Sequence, residues 1–153
     1  MNERSWQLAD EAATLAFGAR FARALGHNGL VIYLHGELGA GKTTFARALL
    51  GAMEVRERVK SPTYTLIEGY DAQGRPAWHL DLYRIADPGE LEWLGLDALS
   101  DPAAVVLVEW PERGRGALPA ADVTLHLAYA GDGRSARLEA HTPRGGELVA
   151  ELR

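Results

Sequence analysis

The stretch Leu30-Val31-Ile32-Tyr33-Leu34-His35-Gly36-Glu37-Leu38-Gly39-Ala40-Gly41-Lys42-Thr43 decides how the rest of the chain is read. Residues 30–34 are apolar and β-branched and run into a glycine, the pattern of a short strand buried on both faces. Residues 36–43 then fit G-x-x-x-x-G-K-[ST]. From the chain's own composition, a chance match anywhere along it is expected about 0.2% of the time. A helical pattern follows over 41–53, with Phe45, Ala48, Leu49 and Ala52 expected to face inward. In that setting the glycines let successive backbone N–H groups point into one anion nest at a helix N-terminus, where the macrodipole also favours negative charge. Gly36, Leu38, Gly39, Ala40, Gly41, Lys42 and Thr43, with Thr44 beside them, are therefore candidate contacts to the phosphates of a nucleotide. Lys42 can reach the β- and γ-phosphates, and the Thr43 hydroxyl can ligate the Mg²⁺ that bridges them.

Working outward, residues 6–25 read as an amphipathic helix in which Leu8, Ala12, Leu15, Ala19 and Ala22 keep helical spacing, with Phe17, Phe21 and Leu25 beside them. Gly26 is its expected stop. Strands are expected over 64–70 and 77–83, joined as a hairpin by the turn chemistry of 71–76. A short helix is expected over 88–94 and a buried strand over 105–108. A closing hairpin is expected from 123–129 and 136–141 around Gly131-Asp132-Gly133. Helix, strand, glycine turn, helix and then several strands predict an α/β fold. The expected form is a P-loop NTPase-like three-layer sandwich whose sheet mixes parallel crossovers with antiparallel hairpins. At 153 residues the chain is expected to be one domain, 1–153.

A phosphate loop needs a carboxylate at the end of a neighbouring strand to hold the magnesium shell or polarise water. Two positions qualify: Glu109, which ends the apolar run Val105-Val106-Leu107-Val108, and Asp81 in His79-Leu80-Asp81. The spacing leaves open which of them activates water. Lys60-Ser61-Pro62-Thr63-Tyr64 lies where such proteins often carry a switch that senses the γ-phosphate, with hydroxyls offered by Ser61 and Thr63, or else is a plain connection from helix to strand. Trp110 either covers the nucleotide or plugs the core. His79 reads as packed or hydrogen-bonded rather than as a metal ligand, and His27, His35, His126 and His141 show no ligand spacing. Asparagine occurs only at positions 2 and 28, so no Asn-Lys-x-Asp guanine-reading motif exists and ATP is favoured over GTP. Asp71-Ala72-Gln73-Gly74 matches Asp-x-x-Gly but falls in a hairpin turn.

Composition narrows the class further. With no cysteine there is neither a disulfide nor a thiolate zinc site. No apolar run approaches the ~20 residues that cross a bilayer, and the first residues lack the basic head and apolar core of a secretion signal. A cytoplasmic protein is expected, without membrane attachment. The net charge of −5 argues against nucleic-acid binding as the sole function. Lys42 and Lys60 are the only lysines among sixteen basic residues.

Four blocks together resemble one family: Gly-Glu-Leu-Gly-Ala-Gly-Lys-Thr-Thr-Phe (36–45), Lys-Ser-Pro-Thr-Tyr-Thr-Leu (60–66), His-Leu-Asp-Leu-Tyr-Arg (79–84) and Val-Glu-Trp-Pro-Glu (108–112) look like the bacterial TsaE family, also called YjeE. The resemblance runs over nearly the whole chain. It implies a small ATPase needed for threonylcarbamoyladenosine formation on the tRNA adenosine next to the anticodon, acting with TsaD and TsaB. It implies no transferase activity of its own, contact with tRNA only through that complex, and hydrolysis that is weak without partners. It matches Thr43 and Glu109 to magnesium positions, Lys42 to the phosphate lysine, Asp81 to an acid important for hydrolysis, and Trp110 to the loop tryptophan beside the site. It also sets Glu11 on the first helix and Arg134 on the late hairpin close to the adenine. Two other readings compete. A small-molecule kinase would carry an arginine-rich lid, for which Arg113 and Arg115 sit in too short and proline-bounded a segment. A non-enzymatic nucleotide-dependent interaction switch would tolerate loss of turnover.

Overall fold

The computed structural model describes residues 3–55, 58–60, 67–94 and 96–152, with side chains described for all of these except 58–60 and 92–94. In chain order the elements are β1 (Glu3–Leu8), α1 (Glu11–Leu25), β2 (Leu30–His35), α2 (Lys42–Ala52), β3 (Arg58–Lys60), β4 (Ile67–Ala72), β5 (Arg75–Asp81), β6 (Val105–Glu109), β7 (Val123–Ala130), β8 (Gly133–Ala140) and α3 (Pro143–Glu151). Short 3₁₀ turns cover Pro88–Leu94, Leu96–Ser100 and Pro111–Gly114. No helix among the described residues is long and apolar enough to cross a membrane.

All eight strands form one sheet in the order β1-β8-β7-β2-β6-β5-β4-β3. The four central strands, β7-β2-β6-β5, are parallel, and an antiparallel pair extends each side. The sheet is therefore mixed, as expected. Parallel registry aligns the C-terminal ends of the central strands: Leu34 pairs with Glu109, and Glu109 with Asp81. A crevice outside those ends, beside the strand that leads into a glycine loop, is where open α/β sheets bind ligands.

Strand alternation divides the core between two faces. Leu30, Ile32, Leu34, Val105 and Leu107 pack beneath α1 and α2. There Phe17, Phe21 and Phe45 form an aromatic cluster with Trp6, the Phe21 and Phe45 rings meeting edge to face at 5.3 Å. Val31, Val106 and Val108 face the other way, toward Leu82, Ile85, Leu91 and Leu99 in and around the 3₁₀ turns. Helices, sheet and 3₁₀ turns make the three layers. Truncating Phe21 or Phe45 to alanine would cost about 3–5 kcal/mol, the usual loss for a buried aromatic.

Several expected boundaries shift. The first helix does not start at residue 6. Asp10 caps it, accepting the Ala13 N–H at 2.8 Å, and the preceding residues form β1, with Trp6 and Leu8 as its inward alternation. The buried face of α1 is Thr14, Phe17, Gly18, Phe21 and Leu25, while Ala12 and Leu15 face solvent. The bulky phenylalanines set the helix's rotation and outweigh the alanine stripe. In α2 the chain buries Phe45, Ala46, Leu49, Leu50 and Met53, and Ala52 is exposed. The hairpin β4–β5 is tighter than expected. Its strands reach Ala72 and Arg75, so only Gln73 and Gly74 turn, both with positive φ (56° and 88°), and Asp71 accepts the Gly74 N–H at 2.7 Å. Residues 64–66 of the expected strand lie outside the described residues. Helix α3, capped by Thr142 with Pro143 in its first turn, was not expected, because Gly145 and Gly146 interrupt its helical signal.

Candidate nucleotide-binding site

The loop after β2 carries the geometry its glycines promise. Gly41 has φ 104°, a conformation that costs any residue with a Cβ. At Gly36 a Cβ would lie 2.4 Å from the Leu127 carbonyl oxygen, so the loop can run against β7 only with glycine there. Helix α2 begins at Lys42 with Gly41 as its cap and no side-chain capping bond. Among the described residues no side chain caps its first-turn N–H groups, which have no partners inside the helix. Ala40 is fully buried beneath the loop.

Lys42 is 4% exposed. Its ammonium donates to the Gly36 carbonyl and sits 3.7 Å from the centre of the Trp110 ring. Burial pushes its pKa down, while the nearby Glu109, Asp81 and Glu112 draw it back up. A cation held in a dry loop by one carbonyl and one aromatic face has much to gain from a phosphate.

Glu109, 3% exposed, is the centre of the polar cluster. The Thr43 hydroxyl lies 3.0 Å from Oε1 and 2.9 Å from Oε2, and His79 Nε2 lies 2.7 Å from Oε2. Asp81, on the next strand, is less buried and accepts the Tyr83 N–H at 3.2 Å. His79 is hydrogen-bonded, as its sequence context suggested.

These groups open on a cavity of about 220 Å³ lined by Leu38, Gly39, Gly41, Lys42, Thr43 and Thr44 on the loop side and by Asp81, Tyr83, Glu109 and Trp110 opposite. Trp110 adopts φ 58°, unusual for a bulky residue. It packs partly against the Val106 and Val108 face and also borders the cavity. Tyr83 lies 5.1 Å from it, ring to ring. An adjoining cavity of about 140 Å³ shares Gly39, Gly41 and Thr44, and there Glu11 and Arg134 come together with Asp10, Thr14 and Asp132. Arg134 donates to the Gly39 carbonyl at 3.1 Å, and Tyr129 donates to that of Leu38 at 2.8 Å, so the β7–β8 hairpin grips the loop tip.

The structure thus gathers Glu11, Leu38, Gly39, Gly41, Lys42, Thr43, Thr44, Asp81, Glu109, Trp110 and Arg134 around two joined cavities. Gly36 and Ala40 support the loop from below. Ser61 and Thr63 lie outside the described residues. Sequence reasoning missed Tyr83 and Tyr129, which carry no chemical pattern of their own, and the pairing of His79 with Glu109. Among the described residues no group of three or more His, Asp or Glu side chains could hold a metal alone. Mg²⁺ does not require one, since it keeps several waters and binds through one or two protein oxygens plus phosphates. The hydroxyl of Thr43 beside the Glu109 carboxylate is a hard-oxygen pair of that kind.

Residues 8–137 match the family model described as threonylcarbamoyl adenosine biosynthesis protein TsaE. The chain is similar to the tRNA threonylcarbamoyladenosine biosynthesis protein TsaE of Haemophilus influenzae, 40% identical over 154 residues covering 98% of each chain. It is also similar to that of Bacillus subtilis, 36% identical over 132 residues covering 86% of this chain and 82% of the relative. The crystal structure of Bacillus subtilis YdiB has a similar fold, with a TM-score of 0.79 and 29% identity over 98% of this chain and 93% of that one.

Proposed function

This chain belongs to the TsaE family of threonylcarbamoyl adenosine biosynthesis proteins, and on that premise we propose that it is the Mg²⁺-dependent ATPase subunit that acts with TsaD and TsaB in tRNA threonylcarbamoyladenosine formation. It works in the cytoplasm as a single ATPase domain over 1–153. It meets tRNA through the complex and does not itself transfer the threonylcarbamoyl group. The observation that carries the reading is the Thr43 hydroxyl, at the foot of the phosphate loop, lying within 3.0 Å of both oxygens of Glu109 at the end of the neighbouring parallel strand.

Thr43 and Glu109 would hold the magnesium shell. When bound, the ion would supply charge neutralisation at the phosphates. Lys42 exchanges its carbonyl and aromatic partners for phosphate oxygens, and the bare N-terminus of α2 receives the rest of the anion. Glu109 is already bonded to the imidazole of His79 and lies within reach of the Thr43 hydroxyl. Asp81 accepts one backbone N–H and lines the same cavity, which favours it as the group that orients the attacking water. Trp110 and Tyr83 wall the cavity against solvent, and Glu11 and Arg134 border the space offered to the base.

The test is ATP hydrolysis with Mg²⁺ by the protein alone and then with TsaD, TsaB and tRNA. Weak turnover that rises with the partners, and loss of both ATP binding and turnover in Lys42→Ala, is the expected result. Phosphate transfer to an added nucleoside would favour a kinase instead. Partner binding that needs ATP but survives loss of hydrolysis would favour an interaction switch.

A further inference from the structure

We propose that His79 is a positioning residue for the magnesium centre: it holds one oxygen of the Glu109 carboxylate from behind and so fixes the plane in which the carboxylate faces Thr43 and the cavity. The inference rests on the reading of Thr43 and Glu109 as the magnesium pair.

Three features carry it. His79 sits on β5, one strand over from Glu109 on β6, and the two strands are in parallel register with His79 opposite Leu107, two residues before Glu109. Both side chains are buried, 8% and 3% exposed, so their contact is not a solvated surface pairing. The 2.7 Å distance from Nε2 to Oε2 is short for a nitrogen and an oxygen, and an ionised carboxylate only accepts, so Nε2 carries the proton and donates.

The Thr43 hydroxyl has a single proton and two carboxylate oxygens within reach. Alone it cannot decide the rotation of the carboxylate. With Oε2 held by the imidazole at 2.7 Å, the carboxylate plane is set, and Oε1, which has no imidazole partner, keeps a lone pair for the ion's hydration shell beside Thr43. Groups that hydrogen-bond metal-ligating side chains typically govern metal affinity by about 10–100-fold. His79 has no place in the cavity lining, so its contribution passes through Glu109.

The experiment is a magnesium titration of ATP binding by calorimetry, with thermal melting as the control for folding. His79→Leu keeps bulk and removes the donor, and its Mg²⁺ half-saturation should rise about 10–100-fold, while metal-free ATP affinity changes less than threefold. His79→Gln carries an amide N–H in the place of Nε2, and it should return the Mg²⁺ response to within about threefold of the native protein. In the Glu109→Gln background, His79→Leu should change the Mg²⁺ response no further, because the group it orients is gone. An unchanged Mg²⁺ response in folded His79→Leu would overturn the positioning role, and so would a His79→Gln variant as impaired as His79→Leu. If the native protein bound ATP without any magnesium dependence, the assignment of the magnesium pair itself would fall, and the positioning role with it.

Discussion

Two buried carboxylates stand at opposite ends of the parallel core, and their surroundings separate an acid tied into the fold by a fixed cation from one that opens on a cavity. Asp122 lies just before β7, at the N-terminal edge of the sheet. It accepts from the Val31 N–H at 2.8 Å, the Thr142 hydroxyl at 2.6 Å and the Arg144 guanidinium at 2.9 Å. Its own N–H donates to the Val31 carbonyl and its carbonyl receives the His141 N–H. The knot ties β2, β7 and the start of α3, with a fixed cation satisfying the charge. Glu109 lies at the C-terminal edge. Its partners are a hydroxyl and an imidazole, and among the described residues no guanidinium is paired with it. One carboxylate is saturated, and the other is held in place yet open to a further cation.

That difference is broken most sharply by exchanging the acids for neutral residues. Glu109→Gln should lower partner-stimulated ATP turnover by roughly a thousandfold, about 4 kcal/mol on the barrier. Its melting temperature should stay the same or rise, since active-site charges are often held at a cost to stability. Steady-state phosphate release beside a thermal melt is the measurement. A turnover within tenfold of native would mean that the carboxylate at the strand end is not part of the magnesium centre.

The opposite result is expected at the other end. Asp122→Ala leaves Arg144 without its carboxylate, the buried Val31 N–H without an acceptor and the part-buried Thr142 hydroxyl without its carboxylate, and should cost about 3 kcal/mol of stability, with ATP affinity at a permissive temperature unchanged within twofold. Denaturant unfolding would measure it. The pH dependence sharpens the same point. Burial pushes the Asp122 carboxyl up, but the bonds from Arg144, Thr142 and Val31 outweigh it and hold the pKa below the ordinary carboxylate value. Its contribution to stability is therefore fully present above about pH 4, the unfolded value, and is lost as pH falls through the lower folded value. Asp122→Asn should flatten the acid limb of the stability curve there and leave the slope near neutrality as it was.

The contrast also accounts for what could be read in advance. The loop at 36–43 and Glu109 were legible because their signals are local: glycines and a lysine at fixed spacing, and four apolar residues closing on an acid. Register then does the rest, since parallel pairing necessarily aligns strand ends, and Asp81 arrives beside Glu109 for that reason. The Asp122 knot was not legible. Its partners lie 20, 22 and 91 residues away, and nothing near Asp122 in the chain distinguishes it from a solvated loop acid. The pairing of His79 with Glu109 was hidden the same way, across 30 residues. Strand β1 was lost for a different reason: its short alternation of Trp6 and Leu8 runs directly into the alanine-rich helix, and only the Asp10 cap marks the break.

The smallest expected effect concerns how the loop tip is restrained. At the Asp122 end every tie is buried or charge-assisted. At the site end, the loop tip is held by the Tyr129 hydroxyl on the Leu38 carbonyl and the Arg134 guanidinium on that of Gly39, with the Arg134 guanidinium stacked 4.3 Å from the Tyr129 ring. Tyr129 is half exposed, so its hydrogen bond is worth about 0.5–1 kcal/mol. Tyr129→Phe keeps the ring and the stacking and removes only that bond. A loop released by this amount would let nucleotide leave about two- to fivefold faster, while the melting temperature moves by less than about 2 °C, because the loop tip contributes little to the core. Stopped-flow displacement of a fluorescent ATP analogue reads the first quantity and a thermal melt the second. An unchanged off-rate would mean that Arg134 and the glycine geometry suffice to hold the loop. A large fall in melting temperature would mean that the hairpin's grip belongs to the fold, which would place the loop tip with Asp122 rather than with Glu109.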